Sequence, residues 1–80
     1  MKMPPHYIGI EQARAVLAEM GIELNSRQIR RAAEKDAEGR RRLPFFVDPI
    51  EGTLKIEKGM LVNIYRKLQE ESESNLRNKD

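Results

Sequence analysis

Apolar residues recur at helical spacing in three stretches of the chain. Ile10, Ala13, Val16, Leu17 and Met20 form the first stripe, Ile29, Ala32, Ala33 and Ala37 the second, and Met60, Leu61, Ile64, Tyr65 and Leu68 the third and cleanest. Each predicts an amphipathic helix with its apolar side toward a shared core. Gly21 stops the first helix, which covers residues 10–20. The second carries a start signal: Asn25 can cap the first turn while Gln28, three residues on, reaches back to the N–H of the cap. Leu24 stands just before the cap, where a hydrophobic staple would pack. With Gly39 as the stop, this helix spans residues 26–38. The third runs from residue 57 to about residue 69, its first turn weakened by Gly59.

Between the second and third helices the pattern changes. Leu43-Pro44-Phe45-Phe46-Val47 and Thr53-Leu54-Lys55-Ile56 flank the turn-forming Asp48-Pro49-Ile50-Glu51-Gly52 and read as a β-hairpin over residues 43–56. Leu54 and Ile56 alternate with Thr53 and Lys55, so one face turns inward, and one of the paired phenylalanines covers the core. Tyr7 and Ile8 add a short extended segment after a flexible lead-in over residues 1–6. Residues 70–80 are polar, with four acids against two bases, a tail expected to fray or stay disordered. The expected architecture is therefore one domain over residues 7–69, mainly α with a small antiparallel β-hairpin.

Charge sharpens the picture at one place. The 80 residues sum to +2, but residues 27–42 carry seven Arg or Lys against three acids, while residues 1–26 sum to −1. A local basic excess is the footprint expected of a nucleic-acid surface. On a wheel with Ile29 inward, Arg27 and Arg31 point away from the core, Arg30 lies on one flank, and Gln28 and Lys35 lie on the other. Arg bonds guanine O6 and N7 as a fork and Gln does the same to adenine, so these are the side chains that major-groove readout needs. The competing reading is a solvated face laced by ion pairs, with Arg30 and Glu34 four apart.

Other chemistry is poorly supplied. Without cysteine and with His6 as the lone histidine, the chain offers no disulfide and no ordinary zinc site. Glu70, Glu71 and Glu73 belong to a solvated tail rather than an acid/base pair. The expectation is a non-enzyme with no cofactor, no metal and no small-molecule substrate. No apolar run is long enough to span a bilayer and the N-terminus lacks a secretory signal, so a cytoplasmic protein without membrane contact is expected. RNA binding is disfavoured because Tyr7, Phe45, Phe46 and Tyr65 read mostly as core, leaving few bases a platform.

The order of these elements resembles the excisionase and MerR-like winged helix-turn-helix family over residues 7 to 68. The resemblance is carried by Ile10-Glu11 with Ala13, by Ser26-Arg27-Gln28-Ile29-Arg30-Arg31, by Gly39 to Pro44 as the wing entry, and by Ile56 before the last helix. It implies three helices plus a wing, binding double-stranded DNA with the second helix in the major groove and the hairpin against adjacent backbone or minor groove. Ser26, Arg27, Gln28, Arg30, Arg31 and Lys35 would belong to the recognition helix. Arg40, Arg41, Arg42 and Lys55 would lie at the wing base and strand. Two features depart from the pattern, a longer connection between the first two helices and an additional arginine pair at the wing entry. The implied role is an architectural factor in DNA recombination that bends a site beside an integrase or further copies of itself. A small phage or plasmid repressor acting in transcription regulation, or a protein-interaction adaptor on the same fold, is the alternative.

Overall fold

Four side chains, Leu17, Ile29, Ile56 and Leu61, are fully buried, and each comes from a different element. The computed structural model describes residues 4–78. In chain order the elements are β1 (Tyr7–Ile8), α1 (Ile10–Glu19), α2 (Ser26–Ala33), β2 (Phe46–Val47), β3 (Leu54–Glu57) and α3 (Lys58–Asn78). They form a small mixed α/β domain of three helices and a three-stranded antiparallel sheet. Ile8, Ala13, Ala33, Leu43 and Phe45 complete the core around the central four. The expectations for residues 1–3 and 79–80 lie outside the described residues.

Helix α1 ends where the sequence marks it. The Ile22 N–H donates to the Leu17 carbonyl at 2.8 Å and the Gly21 N–H to that of Ala18 at 3.0 Å. This paired closure needs a left-handed residue at Gly21, whose φ is +89°. Met20, expected in the core, is the C-cap residue and 38% exposed. It stands past the last full turn, so its side chain leaves the apolar stripe.

Helix α2 begins as its capping box requires. Asn25 Oδ1 accepts the Gln28 N–H at 2.8 Å, and Gln28 Oε1 accepts the Asn25 N–H at 2.9 Å. Leu24 packs against the core that holds Ile29, as a staple should. The helix ends at Ala33 rather than at residue 38, so Gly39 is not its stop. Glu34 is already extended, at φ −90° and ψ 156°. The late carbonyls find other donors: Leu43 N–H bonds Ala32 O at 3.0 Å and the Arg41 Nε–H bonds Ala33 O at 2.8 Å. Ala37 is exposed instead of continuing the stripe.

The expected two-stranded hairpin is part of a larger sheet with strand order β1-β3-β2. Tyr7 pairs with Glu57 and Ile8 with Ile56, while Phe46 pairs with Lys55 and Val47 with Leu54. Side chains alternate across a sheet, so Ile8 and Ile56 face the core while Tyr7 and Phe46 share the outer face. There the two rings meet edge to face, 5.6 Å between centroids. Both aromatics are therefore exposed, against the reading that most of the aromatics are core, and Phe45 is the phenylalanine that covers the interior. Pro44 and Pro49 bracket β2 and Pro4-Pro5 precede β1, which removes donors from the outer edges of the sheet.

Helix α3 starts under the Glu57 side chain, whose carboxylate accepts the N–H groups of Gly59 at 3.0 Å and Met60 at 2.8 Å. A Cβ at position 59 would stand 3.3 Å from both carboxylate oxygens. Gly59, a weakness by helix propensity, thus leaves room for the Glu57 carboxylate that a side chain would crowd by a few tenths of an ångström. Leu61 is buried and Ile64 and Tyr65 half-buried, but Met60 and Leu68, expected on the core stripe, are 49% and 55% exposed. The helix continues through Asn78, across residues read as a frayed tail. Its residues beyond position 59 include neither Gly nor Pro, and Glu, Gln, Lys and Leu propagate a helix well without tertiary contacts. No helix among the described residues is long and apolar enough to cross a membrane.

Candidate nucleic-acid interface

With Ile29 and Ala33 buried and Ala32 half-buried, two turns of α2 have one side fixed to the core. Ser26, Arg27, Gln28, Arg30 and Arg31 are exposed on the rest of its circumference. Arg27 and Arg31 are one helical turn apart and project together. The ion pairs among the described residues are Glu11 with Arg14, at 2.9 Å, and Glu51 with Lys55, at 3.3 Å. Neither involves α2. The Arg30–Glu34 pair that would make this a self-neutralised face is not formed, because the chain leaves the helix at Glu34.

The basic surface continues beyond the helix. Asp36 organises the next loop: its Oδ1 accepts the N–H groups of Glu38 at 2.9 Å and Arg40 at 3.0 Å, and its own N–H bonds Arg40 O at 2.8 Å. Gly39 closes the turn at φ +81°. The Arg40 and Glu38 N–H groups, with the Arg42 charge assisting, outweigh desolvation and hold the Asp36 carboxyl below the usual carboxylate range. This turn brings Lys35 and Arg42 beside Arg31, around an open depression that also contains Glu34 and Asp36. Arg40 projects from the same loop and is exposed.

Three residues of the sequence-derived set have roles in holding the fold. Gln28 Oε1 is engaged at the cap, so its carboxamide is not free to present both groups to an adenine. Arg41 is half-buried and its Nε–H is committed to the carbonyl that ends α2. Lys55 sits on the outer sheet face with its ammonium against Glu51. The structure thus brings Arg31, Lys35 and Arg42 around one depression, leaves Arg27, Arg30 and Arg40 exposed on α2 and the loop after it, and keeps Lys55 with the hairpin. Sequence reasoning missed Asp36 as the organiser. An Asp followed three residues later by Gly is a turn signature and was available to be read.

No family model, curated protein or solved structure matches this chain.

Proposed function

We propose that this protein binds double-stranded DNA as a winged helix-turn-helix module, with α2 in the major groove and the 34–42 loop on the flanking phosphates. The supporting observation is the exposed arginine set of α2, which has no carboxylate partner among the described residues and continues into Lys35, Arg40 and Arg42. Unpaired guanidiniums on a rigid helix are available to base edges and phosphates without first breaking internal bonds. Arg27 and Arg31 carry base readout, Arg30, Lys35, Arg40 and Arg42 neutralise phosphate, and Arg41 holds the helix to the loop. The biological output favoured by the resemblance over residues 7 to 68 is architectural, an excisionase-like factor beside an integrase. A small repressor is the runner-up.

If Arg30, Lys35, Arg40 and Arg42 each neutralise one phosphate, log K falls against log salt with a slope of about −3.6. The test is an amide-shift titration of the labelled protein with a mixed-sequence duplex, followed by affinity at several salt concentrations. Shifts confined to residues 26–42, reversed by salt, are expected. A folded protein with no shifts there would transfer the basic surface to an acidic protein partner and end the DNA reading.

A further inference from the structure

The outer face of α2 is chemically narrower than its composition suggests. Four exposed side chains at its start and along its outer side, Asn25, Gln28, Arg27 and Arg31, are of types that read base edges. The two carboxamides are committed to each other's backbone. Asn25 Oδ1 accepts the Gln28 N–H at 2.8 Å and Gln28 Oε1 accepts the Asn25 N–H at 2.9 Å. Neither can offer an adenine a donor and an acceptor together without opening the start of the helix. The two guanidiniums form no ion pair among the described residues, so the groups left free to fork a base are both arginines.

Their placement sets a spacing. Ile29 is buried beneath α2, Arg27 precedes it by two positions and Arg31 follows it by two. At about 100° per residue the two arginines straddle the line directly opposite the isoleucine. Four residues of helix separate them by about 6 Å along the axis. Successive bases of a strand rise by roughly 3.4 Å. With α2 lying along the groove, the two forks therefore meet base pairs about two steps apart and not neighbours.

We propose that the chain selects DNA carrying two G·C pairs separated by one pair of any sequence, Arg27 forking O6 and N7 of one guanine and Arg31 those of the other, with no adenine-specific contact from α2. The inference deepens the DNA reading and rests on it. Each fork favours guanine over another base by about tenfold. The acceptors used lie on the major-groove edge, so the amino group that the same guanines show in the minor groove plays no part.

The test begins with selection of duplexes from a randomised pool on the full chain at low salt. The retained sequences are expected to share the two G·C pairs at that spacing. In a selected duplex, replacing either guanine by 7-deazaguanine, which pairs normally but lacks N7, should weaken binding about tenfold. Inosine, which keeps O6 and N7 and lacks the minor-groove amino group, should change it by less than about twofold. Arg27→Ala should erase the preference at one of the two pairs and Arg31→Ala at the other. Gln28→Glu keeps an acceptor for the Asn25 N–H and should select the same sequences. The inference is overturned, with DNA binding intact, by retained duplexes without the spaced G·C pairs, by tolerance of 7-deazaguanine, or by a new selection with Gln28→Glu. A folded chain that retains no duplex at all ends the DNA reading itself, and this inference with it.

Discussion

Two loops project from this core and both are held by the same device, an aspartate whose Oδ1 takes two backbone N–H groups. Asp36 does this for Glu38 and Arg40, and Asp48 for Ile50 and Glu51. Their surfaces are opposite in kind. The first loop continues the arginines of α2 with Lys35, Arg40 and Arg42 exposed, while the second offers Ile50 between two carboxylates and has its nearby cation, Lys55, tied to Glu51. A rigid turn is thus a generic support, and what it meets is decided by the side chains it displays. Phosphate suits the first loop, whereas the second, the hairpin that the resemblance would set against DNA as a wing, carries Asp48 and Glu51 at its tip and could approach DNA only along its strands.

The largest expected effect separates two isoleucines. Ile29→Ala empties a fully buried site under α2 and should cost about 2–5 kcal/mol in a urea melt, whereas Ile50→Ala should stay within about 0.5 kcal/mol. Similar losses would break the claim that the core holds α2 and leaves the hairpin tip free. Next in size, Arg31→Ala should weaken DNA binding by roughly 1–3 kcal/mol and relax preference at one base pair. Binding isotherms on a panel of single-base variants measure this, and uniform losses would move Arg31 to the phosphate set.

Arg40→Ala should flatten the salt slope by about one unit, while Lys55→Ala should leave it unchanged because that ammonium already faces Glu51. Arg41→Lys supplies a finer contrast: it keeps the charge, so the slope should hold, but it removes the Nε–H that reaches Ala33 O. Faster amide exchange at the end of α2 in the free protein is the expected signature. A changed slope with undisturbed exchange would show that Arg41 meets phosphate instead.

Acid should affect the two loops alike and least of all. The Asp36 and Asp48 carboxyls are both held below the usual range, chiefly by the N–H groups of Arg40 and of Ile50 respectively. A carboxylate lowered in the folded state lends stability above its unfolded pKa, about 4, and that contribution disappears as pH falls through the lowered folded value. Amide shifts of Glu38, Arg40, Ile50 and Glu51 followed into acid should therefore move together below the ordinary carboxylate range. One loop loosening well before the other would show that the devices are not equivalent.

How much of this could be read from sequence depended on whether the deciding interaction was local. The start of α2 was legible because Asn25 and Gln28 bond each other three residues apart, and the end of α1 because a left-handed cap asks for glycine at position 21. The end of α2 was misread because Ala37 extends the apolar period, although the Asp36 to Gly39 turn intercepts the chain first. Leu68 shows a different failure. Periodicity reveals that a helix has an apolar side, but this small body has nothing to lay against it so far along α3. The two residues of β1 are too few for an alternation signal, and their pairing to β3 depends on residues some fifty positions away. At the candidate site the local basic excess was legible. That Arg41, of three consecutive arginines, is the one turned back to Ala33 depends on where the loop lands.

Helix α2 has eight residues, about 12 Å of helix, well under the length at which a helix persists alone in water. It exists while Ile29 is buried beneath it and the Leu43 and Arg41 donors close its end. A duplex that grips the arginines of α2 binds the folded chain and not the opened one, so occupancy raises the free energy of opening in proportion to the logarithm of site concentration over Kd. Degradation that acts on the opened chain then removes free copies faster than bound ones. If the protein binds DNA as proposed, its cellular lifetime, and not its location alone, would follow how many sites it finds.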